Sequence, residues 1–328
     1  MKLSRRHLFS FTLLATFGAC MGASAQTVDG YPNKPIRLVI PYTPGGSIDN
    51  TGRLVADQLQ KQLGQPIVVE NLPGASGLVG TLAAMKAKPD GYTLIFNASS
   101  QVYLPLVMSK KTYDATKDFT PVGQIGYVPL LVVVNNSVPA KNLAELAQLA
   151  KATPGKYAWA TSGLGTTSHL SEELFNRTLN TGMDIVTYKG AVPQLTDVIG
   201  GHVAAAVSPM PGVFPFVQAG RLKVIGVTSK TRLPNLPDVP TVSESAIPGY
   251  ELLSWYGIWA PANTPMPIVN RLNAEIGKAV DSPNLRAKFQ ELSFIPNHSS
   301  QEQFRKFIQE DLAKVGKVIK DANIRIEP

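Results

Sequence analysis

Residues 36–49 read I-R-L-V-I-P-Y-T-P-G-G-S-I-D and join a strand-like run, a glycine turn and the start of a helical pattern. The run Ile36–Ile40 is mostly apolar and rich in β-branched side chains, which predicts a buried parallel strand. In the turn Pro44–Ser47, two glycines allow backbone conformations closed to other residues. Apolar residues then recur at helical spacing as far as Leu63, so a helix is predicted from about Ser47. Such a turn presents free N–H groups at a helix N-terminus, and we expect it to hold a carboxylate without altering it chemically.

The composition is that of a globular protein with room for two domains. The chain has 328 residues, of which 44% are hydrophobic and 16% charged. Its formal charge is +8; Lys2, Arg5 and Arg6 contribute 3 of this at the N-terminus, which leaves +5 on the rest. The remaining cations are scattered, without the basic run that nucleic acid requires, so no nucleic-acid partner is expected.

The first 25 residues have the pattern of a signal peptide. Charged residues precede an apolar stretch and the sequence Ala23-Ser24-Ala25, which predicts cleavage before Gln26. The paired arginines within residues 4–9 resemble a twin-arginine signal, although general secretion signals often begin in the same way. Cys20 lies in this leader, in a poor lipoprotein context, so we expect a soluble, periplasmic product without a disulfide or a thiol.

The rest of the chain alternates strand-like and helix-like segments in two groups. The first group predicts strands at 36–40, 67–70 and 92–96, with polar loops after them at 42–49, 71–77 and 97–100. Alternation of this kind predicts a parallel sheet, whose ligands lie beyond the carboxyl ends of its strands.

A β-branched stretch at 122–134 is predicted to carry the chain into a second α/β domain, and residues 252–260 to bring it back. We therefore predict lobe 1 from residues 26–127 and 253–328 and lobe 2 from residues 128–252, with a hinged cleft between them. The fold class expected is α/β with two lobes.

Catalytic and metal-binding signatures are missing from the sequence. His169, His202 and His298 have no metal-ligand spacing, and no G-x-S-x-G elbow or P-loop occurs. Ser47, Asp49 and His169 could be drawn as a triad, but such combinations arise by chance in a chain of this size. We expect no metal, no cofactor and no enzymatic activity.

Three features keep two interpretations each. The glycine turns could be tight connections only, although their shared position at one sheet edge favours ligand contact. Asp49 could contact a ligand ammonium, or it could order its own loop near the helix dipole. The Trp255-Tyr256 pair could form a wall of the cleft or pack in the core.

Several motifs together carry a resemblance to a known family. They are Y-P-x-K-P-I-R-L-V at 31–39 with P-G-G-S-I-D at 44–49, V-E-N-x-P-G-A at 69–75, P-D-G-Y-T-L at 89–94, Y-K-G at 188–190, L-P-D-V-P-T-V-S-E at 236–244 and P-A-x-T-P at 261–265. By these motifs the chain resembles the Bug family of extracytoplasmic solute receptors, which serve tripartite tricarboxylate transporters. The resemblance extends over essentially the whole chain after the leader.

This resemblance implies a periplasmic-binding-protein type II fold, in which each lobe is a mixed, mainly parallel sheet flanked by helices. It implies a monomeric receptor for a small organic acid, with an inner-membrane permease as its partner. Receptors of this kind hold carboxylates with backbone amides, hydroxyls and ordered waters. Carried over by position, the ligand-binding residues would be Tyr42, Gly46, Ser47, Asp49, Ser99 and Ser100 from lobe 1, and Thr161, Ser162, Thr166, Ser168, His169, Tyr188, Lys189 and Ala191 from lobe 2.

One stretch departs from the family pattern. Where relatives often carry an acidic or aromatic residue, residues 204–209 read A-A-A-V-S-P. The missing carboxylate favours a solute without a free ammonium group. Two alternatives to a transport receptor are a secreted hydrolase-like enzyme on the same scaffold and a periplasmic sensor that docks on a signalling partner.

Overall fold

The computed structural model describes residues 30–321 and Ile324. The predicted signal peptide, residues 1–25, therefore lies outside the described residues. Eleven strands occur in the described part of the chain: β1 (Ile36–Ile40), β2 (Ile67–Asn71), β3 (Thr93–Ala98), β4 (Phe119–Val128), β5 (Leu130–Val134), β6 (Ala158–Thr161), β7 (Asp184–Thr187), β8 (Ala205–Pro209), β9 (Lys223–Val227), β10 (Ser254–Pro261) and β11 (Ile295–Pro296).

Helices alternate with these strands and cover both sheets. They are α1 (Ser47–Leu63), α2 (Leu78–Met85), α3 (Ser100–Val107), α4 (Leu143–Ala152), α5 (Thr167–Leu179), α6 (Ala191–Gly200), α7 (Met210–Gln218), α8 (Val242–Ser245), α9 (Met266–Val280), α10 (Pro283–Glu291) and α11 (Gln301–Asp321). None of the helices between residues 30 and 321 combines the length and the apolar character needed to cross a membrane.

The strands form two mixed sheets, one for each predicted lobe. The six-stranded sheet has the order β11-β4-β10-β3-β1-β2, and the five-stranded sheet has the order β7-β6-β8-β5-β9. The two-lobed α/β fold predicted from the sequence is confirmed. Parallel ladders do not predominate, however, because β4 and β10 run antiparallel in the first sheet and β5 runs antiparallel to both its neighbours in the second. The residue limits proposed for the lobes stay a prediction, and we name the first sheet with its helices lobe 1 and the second lobe 2.

Each sheet has one switch point, where the connections that follow two neighbouring parallel strands leave in opposite directions along the sheet. In lobe 1 this lies between β1 and β3, and in lobe 2 between β6 and β8. Ligands of open α/β sheets bind in the crevice that forms at such a switch point. The two switch points therefore decide where a site can form.

The predicted loop at residues 97–100 was wrong in part. Asn97 and Ala98 still belong to β3, and α3 begins at Ser100. Asn97 stays in the strand because it pairs with Gly257 on β10. In lobe 2, β8 extends as far as Pro209 because it pairs with β5 up to Leu130.

Candidate functional site

A small cavity lies where the carboxyl ends of the two sheets face each other. Its volume is about 40 Å³, so the ligand that it suits is a small molecule. The cavity lies at both switch points, between residues that follow β1 and β3 and residues that follow β6 and β8. Its lining consists of Tyr42, Thr43, Gly46, Ser47, Ile48, Ala98, Ser100, Ser162, Thr166, Thr167, Ser168, Ala191, Pro209, Ser254 and Tyr256.

Five helices begin at this lining. The N-termini of α1 and α3 come from lobe 1, and those of α5, α6 and α7 come from lobe 2. In four of the five, the residue before the helix makes no side-chain hydrogen bond to the first turn. Only α5 is capped, by Thr166, which accepts from the His169 N–H. The first N–H groups of a helix have no intrahelical acceptor, and the helix dipole makes this end positive. The helix N-termini therefore surround the cavity with partial positive charge.

No lysine, arginine, histidine, aspartate or glutamate side chain occurs among the lining residues of the described structure. The polar groups are hydroxyls, and two tyrosines orient some of them. Tyr42 donates to Ser100 Oγ at 3.1 Å, and Tyr256 donates to Ser47 Oγ at 2.7 Å. Burial raises the pKa of Tyr42 to about 12 and that of Tyr256 further, so both phenols stay protonated and act as donors.

The lobes touch each other around the cavity. Ser99 and Thr167 hydroxyls lie 2.7 Å apart across the cleft, and the Leu164 N–H donates to Ser76 Oγ at 2.9 Å. On the other side, a Cβ placed on Gly212 of α7 would lie 2.8 Å from the backbone nitrogen of Ser47. The cleft is thus closed in this structure, and the cavity is the space left inside it.

The structure brings eight of the fourteen predicted ligand residues together at the cavity. They are Tyr42, Gly46, Ser47, Ser100, Ser162, Thr166, Ser168 and Ala191. The other six do not line it. They are Asp49, Ser99, Thr161, His169, Tyr188 and Lys189.

Asp49 has the second of its two proposed roles in this structure, since its carboxylate orders the glycine turn. It accepts from the Gly45 N–H at 2.9 Å, from Asn71 at 2.9 Å and from Arg53 at 3.0 Å. Burial alone would raise the pKa of this carboxyl, but these hydrogen bonds hold it below its usual value. The carboxylate therefore fixes the backbone that leads into α1.

Four more of the six residues lie outside the lining. His169 is buried beside the Gly165 N–H, and burial lowers its pKa to about 4, so the imidazole is neutral at physiological pH. The Tyr188 phenol donates to Asp197 at 2.7 Å, and Lys189 is exposed. Ser99 lies directly behind the lining, in contact with Thr167.

Seven lining residues were not among those predicted. They are Thr43, Ile48, Ala98, Thr167, Pro209, Ser254 and Tyr256. Thr43, Ile48 and Thr167 adjoin predicted residues, so reading each turn as a continuous wall would have found them. Tyr256 was singled out together with Trp255, and the structure separates the pair. Tyr256 lines the cavity, whereas Trp255 packs against Tyr103 and donates to Asp311 at 2.9 Å.

The chemistry available at the cavity is hydrogen bonding. Within residues 30–321 no group of three or more His, Cys, Asp or Glu side chains is placed to hold a metal ion. The lining combines hydroxyls and helix N-termini with apolar walls from Ile48, Ala98 and Pro209. Such a lining can bind an anion with an apolar middle and fix its orientation.

Comparison with known proteins identifies a family of solute receptors. Residues 51–324 match the family described as "Tripartite tricarboxylate transporter family receptor". The chain is 35% identical to Protein BugT of Bordetella pertussis over 96% of each chain.

Two solved structures of Rhodopseudomonas palustris proteins resemble this one over nearly their whole length. Rpa4515 with adipate is 34% identical, with a TM-score of 0.87, and the match covers 91% of this chain and 100% of the other. MatC with bound malate is 30% identical, with a TM-score of 0.84, and the match covers 88% and 100%. The extent of these matches, together with the two-lobed fold, places the chain in the Bug family of tripartite tricarboxylate transporter receptors, which are periplasmic solute-binding proteins.

Proposed function

We propose that this protein captures a small carboxylate-bearing solute in its closed cleft and delivers it to a tripartite tricarboxylate-type permease in the inner membrane. The observation that carries the proposal is the convergence of five helix N-termini on one cavity. A helix N-terminus offers N–H donors and partial positive charge to an anion. In α7 the first two residues contribute only the charge, because the Met210 N–H donates to the Pro129 carbonyl and Pro211 has no N–H. Relatives whose structures contain adipate and malate support the same class of ligand.

We propose that the solute is held by serine and threonine residues of the lining. Ser47 would act from lobe 1 through its hydroxyl, and Ser162, Thr167 and Ser168 would act from lobe 2. Ser100 would act through its backbone N–H, because its hydroxyl donates to Asn97 Oδ1 at 3.1 Å. Asp49, Ser99 and Thr161 would support these contacts from behind. Because the contacts come from both lobes, bound solute stabilises the closed arrangement over an open one.

The protein is proposed to work as a monomer in the periplasm, exported by the N-terminal signal peptide with its twin-arginine-like start. The apolar stretch and the A-x-A site within residues 8–25 support export. We propose no catalytic step, because the described lining contains no carboxylate, imidazole or amine that could act as a general base.

The test is a thermal-shift screen of the exported protein against dicarboxylates, tricarboxylates, amino acids and aromatic acids, followed by calorimetry. A solute at about a hundred times its dissociation constant should stabilise the protein by about 2.7 kcal/mol. Binding of one class of carboxylate with a single site supports the proposal. Turnover of any panel compound, or binding only of solutes that lack a carboxylate, would contradict it.

A further inference from the structure

The five-stranded sheet of lobe 2 divides beneath the cavity. The ladder between β6 and β8 ends at the pair Ala160 and Ala206. Beyond it, β6 stays paired with β7 as far as Thr161, and β8 stays paired with β5 as far as Pro209. The gap between the two strand ends leads to the cavity, because Pro209 and the residue after Thr161 both line it.

Two polar side chains occupy the place of the missing ladder. Glu172 of α5 accepts the Val207 N–H with Oε1 at 3.1 Å. Gln194 of α6 donates with Nε2 to the carbonyl oxygens of Ala160 at 2.7 Å and Val207 at 3.3 Å. Both residues are 0% exposed to solvent. Backbone groups that would otherwise remain unpaired at the divergence are thus satisfied by side chains.

The two side chains enter the gap from opposite faces of the sheet. Phe175 of α5 packs in one core cluster with Val207, and Leu195 of α6 packs in another with Ala206. Successive residues of a strand point to opposite faces, so the two helices lie on opposite sides. We name Glu172 and Gln194 together the wedge.

No cation pairs with Glu172 among the described residues. Besides the Val207 N–H, only a loose contact with the Thr161 hydroxyl acts on its carboxyl, and this contact falls outside ordinary hydrogen-bond geometry. The titratable groups that act on it are Glu173 on the same helix and Tyr250 before β10, and neither supplies a positive charge. Burial raises the pKa of the Glu172 carboxyl well above its usual value, which agrees with this geometry.

We propose that Glu172 and Gln194 are positioning residues of the ligand site: a neutral acid and an amide that hold β6 and β8 apart and thereby aim the N-termini of α5 and α6 at the solute. Ser168 lies four residues before Glu172, and Ala191 lies three before Gln194, so one helical turn joins each wedge residue to the cavity lining. The proposal rests on the proposed function, because it assumes that the cavity is the ligand site.

The neutral state of Glu172 has a direct consequence for an anionic solute. A carboxylate one turn behind the α5 N-terminus would cancel the positive potential that the helix ends create. A protonated acid keeps the same hydrogen bond to the sheet without that charge. The wedge therefore separates the ends of β6 and β8 and preserves the positive potential that attracts an anion.

The charge state is tested by infrared spectroscopy of the full exported protein at pH 7. Wild type should show a protonated-carboxyl C=O stretch that is reduced in Glu172→Gln. Glu244→Gln is the control and should leave the band unchanged, because Arg232 and the Thr241 N–H lower the pKa of that carboxyl. A band unaffected by Glu172→Gln would mean that Glu172 is ionised, and the proposal would be wrong.

The hydrogen bonds of the wedge are tested by amide exchange at Val207. Glu172→Gln retains a carbonyl acceptor and should keep the wild-type protection, whereas Glu172→Leu should exchange about tenfold faster. Equal exchange in Glu172→Leu and wild type would overturn the wedge. If the leucine variant does not fold, the infrared comparison of the isosteric glutamine variant still tests the neutral state of Glu172 that the proposal requires.

The positioning role is tested by calorimetry with adipate and succinate as probes. Glu172→Leu should lose about tenfold in affinity, and Glu172→Gln should recover most of the loss. Equal affinities in wild type and Glu172→Leu would remove the positioning role. If wild type binds no carboxylate at all, the proposed function fails, while the infrared and exchange results still decide whether the wedge exists.

Discussion

The Tyr256 phenol donates a 2.7 Å hydrogen bond to Ser47 Oγ, and this contact joins the strand that returns to lobe 1 with the first residue of α1. Because Ser47 accepts from Tyr256, its own hydroxyl hydrogen is free to point to another acceptor. Both residues line the cavity. Tyr256 thus orients a donor at the glycine turn, where we propose that the solute binds.

Tyr256→Phe should weaken solute binding. Loss of the hydrogen bond leaves the Ser47 hydroxyl free to rotate, and we expect a loss of about 1 kcal/mol in binding, or roughly fivefold in affinity. Calorimetry measures this. Tyr31→Phe is a matched control, since its phenol donates to the Gly91 carbonyl at 2.7 Å and does not line the cavity. Equal losses of affinity in both variants would show that the Tyr256 bond has no special role.

Gly212→Ala should oppose closure of the cleft. The added Cβ would lie 2.8 Å from the Ser47 nitrogen, and backbone atoms cannot rotate away. Opening the lobes relieves the clash without unfolding either sheet, so affinity should fall by about 1–3 kcal/mol with little change in melting temperature.

Calorimetry and small-angle scattering with and without solute measure these effects. Gly226→Ala is the control, because its Cβ would meet only side-chain atoms at 3.5 Å or more. A Gly212→Ala protein that closes and binds like wild type would contradict the prediction.

Succinate should bind more tightly than aspartate, which has the same carbon skeleton and an added ammonium. The lining contains no carboxylate to pair with the ammonium, so aspartate would bury that charge without a partner. We expect a difference of at least about tenfold. Competition calorimetry measures it, and tighter binding of aspartate would contradict the interpretation of the A-A-A-V-S-P stretch.

The stability of the protein should fall as the pH falls from about 6.5 towards 4, in part because of His169. Burial lowers the pKa of this imidazole from 6.5 to about 4. In that pH range the unfolded chain takes up a proton that the folded chain does not, so stability decreases with decreasing pH. The contribution is at most about 3 kcal/mol.

His169→Asn removes the titrating group and keeps an acceptor near the Gly165 N–H. Denaturant unfolding at pH 7 and pH 4.5 should therefore show a smaller difference in the variant than in wild type. Identical differences would assign the pH dependence to other groups.

Much of lobe 1 followed from local patterns. The run Ile36–Ile40 forms β1 with the predicted limits, and α1 begins at Ser47. The glycine turn was predictable because a glycine pair marks backbone conformations that side chains disfavour, and Gly45 does adopt a positive φ of 82°. The α3 helix was missed, since Ser99 and Ser100 resemble a loop in sequence and Pro105 lies inside the helix.

The candidate site followed less completely, because its members come from distant parts of the chain. The turns could be named, but which side chain faces the cavity depends on how the lobes close. Tyr188 was placed in the site by motif, and in the structure its phenol bonds to Asp197 on its own lobe. Pro209 was read only as part of an unusual stretch, and it is a wall of the cavity.

By itself the sequence determined the alternation of strands and helices, the glycine turns and the absence of a recognisable nucleophile or metal motif, because these are properties of neighbouring residues. The tertiary structure alone decided that five helix N-termini meet, that Asp49 orders a turn instead of lining the cavity, and that Glu172 is buried without a cation. Such relationships depend on strand order and on contacts between residues far apart in the chain, which local spacing does not specify.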